Sequence, residues 1–441
     1  MADGALASVG HHERKRTIIR TAVSGFAAKA AMFLPTVVIA KLVLPILGTE
    51  RFGVLMTILS LLAFLSVADL GVGASLVTSI SRALGAGKLE HVRKLQANGF
   101  VAVSATAVVV LVAVITLYYM NIGQFIFPSS APALRWEATR GFVAFGVLFA
   151  LGLPLTLIGR IQLGLQIGHV ANFWQIATAI LNFSLGALAA REGLGIPWII
   201  IGLMSGTLMC GLANLLVHYI RNPGTRPHRA DLSVKGTREL LGESLFYLAL
   251  QLIFVVAYAA DTLIVARELG AGAASVFALS DRLFSVVGVA VAVITTPLWA
   301  TYGEALGASD TRWAYRMLRV STARITFVAC VMATSVIVAL PMLVSMLSSG
   351  RLHVPLSLAI AMAIWRIIES IGQSVSVYMY ACQALKFVLL TGGATALVSL
   401  CVKVLLVSRL GLFSVPATMS TVYVLLCLLP ACYYVWQARP R

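Results

Sequence analysis

Nine ionisable side chains fall inside long apolar runs of this chain: Lys29, Lys41, Asp69, Asp261, Asp281, Arg282, Arg366, Glu369 and Lys403. An ionised group facing lipid costs roughly 2.5–3.5 kcal/mol on insertion scales. Each therefore needs a partner, a wet cavity or a ligand. Arg366 and Glu369 are three residues apart, on one helix face, and can pair. Lys41 and Lys403 lie near the outer ends of their runs and can snorkel, and Asp281 and Arg282 also lie near an outer end. Lys29, Asp69 and Asp261 have no partner of opposite charge on their own helix. Small and polar residues share their faces (Thr21 and Gly25 beside Lys29, Ser66 and Gly73 beside Asp69), and such stripes face other helices or water rather than lipid. The acids Asp69, Asp261 and Glu369 either couple an ion or pin helices together. The cations Lys29, Arg366, Arg282, Lys41 and Lys403 are candidates to line a cavity.

Enzyme chemistry finds no support. There is no GxSxG and no HExxH. "LGAGKL" (84–89) lacks both the first glycine of a phosphate loop at its spacing and the Ser/Thr after the lysine, so it reads as a turn. Six cysteines, none in a CxxC, are small apolar packing residues. No catalytic residue, metal site or cofactor is expected; a proton or sodium gradient would supply the energy for any transport.

The elements that must hold these groups follow from composition. Of 441 residues, 60% are hydrophobic and 11% charged, far below the roughly one quarter charged of globular proteins. Apolar runs recur from end to end, and twelve spans can be placed: 20–47, 53–82, 98–121, 141–166, 170–190, 197–219, 240–267, 274–303, 320–347, 354–384, 387–408 and 413–437. Most of the 33 Lys and Arg collect on one side of that layout. The positive-inside rule then places both termini in the cytoplasm, as an even span count requires. The net charge of +17 reflects this asymmetry, and no nucleic-acid partner is expected.

"RNPGTRPHRADLSVKGTRE" (221–239) is basic and bears Pro and Gly. It reads as a cytoplasmic linker between a lobe at 1–220 and a lobe at 240–441. The halves repeat. Leu47–Gly48 matches Leu269–Gly270, and Ala83–Leu84–Gly85 matches Ala305–Leu306–Gly307, both at an offset of 222. The expected fold is an all-α polytopic membrane protein of about twelve transmembrane helices in two six-helix lobes, related by a parallel pseudo-repeat, a layout typical of alternating-access transporters.

Residues 40–95 carry a resemblance. Leu47, Gly48, Phe52 and Gly53 form an LGxxxFG turn, followed by a DLGxG element at Asp69, Leu70, Gly71 and Gly73. With "DTLIVARELGAGAASVFALSDRL" in the second half, the chain resembles the Wzx-type polysaccharide flippases of the multidrug/oligosaccharidyl-lipid/polysaccharide exporter superfamily. That resemblance implies translocation of undecaprenyl-pyrophosphate-linked oligosaccharide to the periplasmic leaflet of a bacterial inner membrane. It implies lipid-linked oligosaccharide and membrane lipids as partners, with a polysaccharide polymerase and chain-length machinery beside them. Lys29 and Arg366 fit a pyrophosphate-binding role. A multidrug or organic-cation antiporter of the same superfamily is the alternative, with Asp69 or Asp261 as the cavity carboxylate.

Overall fold

The structure, a computed structural model, describes residues 11–60, 68–122, 124, 131–348, 353–437 and 439, with side chains except at 11–12, 33–42, 44, 49, 60, 254–259, 271 and 347–348. Lys41 is thus one expected site residue whose side chain lies outside the described set. Apolar length decides the architecture: lipid offers no hydrogen bonds to the backbone, so a spanning segment must close its own as a helix. Among the described residues thirteen α-helices follow one another: α1 (His11–Ser60), α2 (Val72–Gly85), α3 (Leu89–Tyr119), α4 (Pro132–Gly164), α5 (Gly168–Arg191), α6 (Ile196–Arg221), α7 (Val234–Leu269), α8 (Ala271–Gly307), α9 (Thr311–Ser348), α10 (Leu356–Ala381), α11 (Leu385–Leu410), α12 (Ser414–Tyr423) and α13 (Leu429–Gln437). The protein is an all-α polytopic membrane protein.

Among the described residues, nine helical segments are long and apolar enough to cross a membrane. They are α3–α6, α8–α11 and the continuous run from α12 to α13, matching the third to sixth and eighth to twelfth expected spans. The other three expected spans, 20–47, 53–82 and 240–267, each include residues or side chains outside the described set.

The chain forms two compact units, Met1–Leu245 and Phe246–Arg441. In the first, α5 packs on α6 and α1, and α4 packs on α6 and α3. Its core includes Leu55, Leu76 and Ile161, all fully buried, and Leu240 from the start of α7. Residues 221–239, expected as a linker, are ordered. They end α6, make two short turns at Pro223–Thr225 and Arg229–Asp231, and begin α7. In the second unit α8, α9 and α10 pack on one another, and α12 packs on α10 and α11.

The offset of 222 reappears as backbone geometry. Gly48 interrupts α1 at φ 74°, ψ 170°, and Gly270 precedes α8 at φ 89°, ψ 168°. Both are conformations that only glycine adopts without strain. After α2, Gly87 sits at φ 69°; after α8, Ser309 sits at φ 63°. Lys88 N donates to Ala83 O at 2.9 Å, and Asp310 N to Ala305 O at 2.8 Å. Gly87 N to Leu84 O and Ser309 N to Leu306 O complete the same left-handed helix stop in each half. The sequence "LGAGKL" is therefore a turn between helices. The halves differ inside the second span. α8 runs unbroken with Pro297 inside it, whereas Leu70 (φ 52°) and Gly71 (φ 78°) break the equivalent stretch before α2.

Helices α5 and α6 meet through glycines. A methyl on Gly202 would lie 2.6 Å from the Leu185 carbonyl oxygen, and one on Gly206 would lie 2.9 Å from the Asn182 amide nitrogen. Both obstacles are backbone, which a rotamer change cannot clear. Gly202→Ala should destabilise the protein by about 1–3 kcal/mol, the usual range for overpacking, read as a lower unfolding midpoint in detergent. An unchanged midpoint would mean that the two helices separate without cost.

Candidate functional site

In the first unit, Asp69 answers a backbone need. Where the helix breaks at Leu70–Gly71, the amides that open α2 lose their carbonyl partners. The Asp69 carboxylate takes two of them, Gly71 N at 3.0 Å and Gly73 N at 3.1 Å. Gly73 leaves room for the cap: a Cβ there would meet Asp69 Oδ2 at 2.5 Å and Arg160 Cγ at 3.0 Å, and one of these side chains would have to move. Lys29 is exposed on α1. Glu243, at the start of α7, accepts from Ser75 Oγ and Ser79 Oγ, both at 3.3 Å. It lies within the expected span 240–267 yet was not among the nine candidates; its position one turn inside the apolar run was the available signal.

In the second unit four helices bring five charges together. Lys403 on α11 is 1% exposed, and its Nζ lies 2.5 Å from Asp261 Oδ1 on α7 and 3.6 Å from Met419 Sδ. The expectation that Lys403 snorkels is thus corrected. The outward reach of a lysine stem gives way to a carboxylate that must itself be neutralised. Arg366 on α10, 7% exposed, bridges two acids: Nη1 donates to Glu369 Oε2 at 2.7 Å, and Nη2 to Asp281 Oδ1 at 2.6 Å. The i,i+3 pairing read from sequence is present. Asp281 is anchored across helices by Arg366. Arg282 is exposed and on a different face of α8.

A cavity of about 500 Å³ lies among α7, α8, α10, α11 and α12. Its walls include Trp299, Trp365, Tyr380 and Tyr423, with Gln373, Thr295 and Ser376 as polar points. Trp365 and Tyr423 meet edge to face at 5.5 Å, and Trp299 and Tyr380 have ring centroids 5.5 Å apart. Glu369 and Met419 line the cavity as well, so it touches the Arg366 group directly through Glu369, while Met419 stands between it and Lys403. Tyr423 is held against α10 at Gly372, where any Cβ would occupy the space of the tyrosine hydroxyl. Past Tyr423 the last span widens into a π turn, Val424–Leu428, in which Leu429 N donates to Val424 O. Pro430, with no N–H, cannot extend an ordinary ladder there.

Of the expected site residues the structure thus puts Glu369 in the cavity wall, ties Arg366 to it and Lys403 to Asp261, and leaves Lys29 and Asp69 in the other unit. The aromatic wall is invisible in sequence because its members are spread over three helices.

No family model matches the chain, and no curated protein matches it. Solved structures do match. A MATE transporter in the straight conformation aligns at TM-score 0.82 and 13% identity, over 96% of each chain. An outward-facing multidrug resistance MATE family transporter of the MOP superfamily aligns at 0.80 and 13%, again over 96% of each. A variant of the Vibrio cholerae MATE transporter VcmN aligns at 0.77 and 15%, over 97% of this chain and 98% of that one. At these identities the likeness is one of fold. It corrects the expectation of a lipid-linked oligosaccharide flippase: the three solved proteins above are MATE transporters, one of them a multidrug resistance transporter, and the alternative reading is the one they favour.

Two outcomes test the site's construction. Lys403→Met alone strands a buried carboxylate and should cost about 3–5 kcal/mol. Adding Asp261→Asn should restore most of the lost stability, measured as unfolding midpoints in detergent. In the first unit, Asp69→Ala should cost about 1–2 kcal/mol by uncapping α2, while Asp69→Asn, which keeps an acceptor, should cost less.

Proposed function

We propose that this chain is a secondary multidrug antiporter that extrudes organic cations by alternating access, exchanging them for a proton or a sodium ion. We place it in a bacterial inner membrane with both termini cytoplasmic. The observation that carries this reading is the cavity of the second unit, where aromatic faces and one partly exposed carboxylate, Glu369, meet in a single chamber. Aromatic rings attract cations through their quadrupoles. A planar cation can lie against Trp365 or Tyr423 while its charge faces Glu369.

Charge balance supplies the exchange. Among the described residues, Asp261, Asp281 and Glu369 form ion pairs with two cations, Lys403 and Arg366. With all five ionised, one negative charge is left over. A single monovalent cation neutralises it, and a second has no counter-charge to meet. The coupling ion and the substrate thus compete for one site, which is the condition for antiport. The fold likeness to multidrug transporters supports the same reading.

A strain lacking the chain should become more sensitive to lipophilic cations such as ethidium. Vesicles bearing the protein should move the dye when a proton or sodium gradient is imposed. Glu369→Gln removes a charged hydrogen bond, worth about 1.5–3 kcal/mol, and should slow that transport by roughly tenfold or more. Trp365→Ala should raise KM by roughly two- to thirtyfold, the range of one cation–π contact. Dye movement indifferent to both substitutions and to either gradient would overturn the proposal.

A further inference from the structure

The segment between α6 and α7 has an underside and an outer face of opposite character. Its underside is pinned to α3. Asp231, 6% exposed, accepts from His228 N at 2.8 Å and lies 3.6 Å from Arg93 Nε. Asn98, also buried, accepts from Ser233 N at 3.1 Å and Thr237 Oγ1 at 3.0 Å. The outer face carries Arg221, Arg226, Arg229, Lys235 and Arg238, all exposed. Between them stand two bare aliphatic side chains, Leu232 at 47% and Val234 at 90% exposure. The nearby acids do little to cancel the charge: Asp231 faces inward, and Glu239 is 4.0 Å from Lys235 alone.

We propose that this outer face, Arg221 to Arg238, docks onto anionic lipid headgroups of the adjoining leaflet, with Leu232 and Val234 entering the interface. The inference is independent of the transported substrate. The segment caps α6, long and apolar enough to span the bilayer, so it sits at the bilayer edge. Basic residues beside a membrane surface are drawn to anionic lipid, and an aliphatic side chain left in water gains by burial in the acyl boundary. A free phosphate would use converging donors and has no use for Val234. Here the cations are strung along the segment, flanking the apolar pair, as a sheet of headgroups requires. Because Asp231 and Asn98 hold the backbone in place, the surface is preformed.

Trypsin reads this face directly, since it cuts after Arg229, Lys235 and Arg238, while Arg226 is shielded by Pro227. The full-length protein is reconstituted in vesicles of phosphatidylcholine alone, or of phosphatidylcholine with one-third phosphatidylglycerol. Cleavage rates are normalised to a soluble peptide substrate in the same mixture. Cleavage of the segment should be at least roughly tenfold slower with phosphatidylglycerol. High salt should reverse that protection in the native chain. Leu232→Ser with Val234→Ser should weaken it several-fold while leaving the rate in phosphatidylcholine as it was, which also checks folding. Equal rates in the two vesicles would overturn the proposal. So would equal protection by inorganic phosphate on phosphatidylcholine vesicles, which would mark a free-anion site.

Discussion

A charge in hydrocarbon must bring its counter-charge with it, and this constraint organises the second unit. Lys403 and Asp261 meet across α11 and α7, and Arg366 ties α10 to Asp281 on α8 while holding Glu369 on its own helix. The two bonds between helices join elements that apolar packing alone would leave free to slide, because side-chain dispersion in lipid has little preference for one register. The price of such pairs is desolvation. What they return is position: four helices are fixed around one chamber, and Glu369, which lines it, is oriented by an arginine that is almost wholly buried.

In the first unit Asp69 meets the same constraint with backbone amides. Its carboxylate neutralises amide dipoles at a broken helix, a weaker positive end than an ammonium but one built into the chain. The two units thus share a pattern of glycine turns, with Gly48 matching Gly270 and the stop at Gly87 matching that at Ser309. They diverge where charge is handled: position 291, at the offset of 222 from Asp69, is a fully buried valine in an unbroken helix.

What could be read from sequence follows the range of each interaction. Periodic apolarity is local, and the nine spans among the described residues fall where it puts them. Arg366 and Glu369 pair at three residues' separation, within reach of a helical pattern. Lys403 and Asp261 are 142 residues apart, and nothing local in either run announces the other. The DLGxG element was legible as an acid followed by two glycines, which is a broken helix with its cap, but its intramembrane setting drew attention to transport chemistry instead. The flippase resemblance was sharpest at that element and at LGxxxFG, with the second-half stretch from Asp261 to Leu283 beside them. Both motifs specify backbone: a positive φ at Gly48 and a helix restart after Gly71. Turns of this kind belong to a fold and carry no information about cargo. The residues that line the cavity, the aromatic wall and Glu369 among them, lie outside both motifs.

The π turn at Val424–Leu428 adds one residue to the last span, directly after Tyr423. An extra residue rotates everything beyond it by roughly 100° about the helix axis. The same helix therefore presents Tyr423 and Cys427 to the chamber and, past Pro430, sets Tyr433 and Trp436, both exposed, at a phase that an unbroken spiral could not supply. One inserted residue lets a single rod serve two masters, the chamber on one side and the surrounding oil on the other, without either dictating the aim of the other.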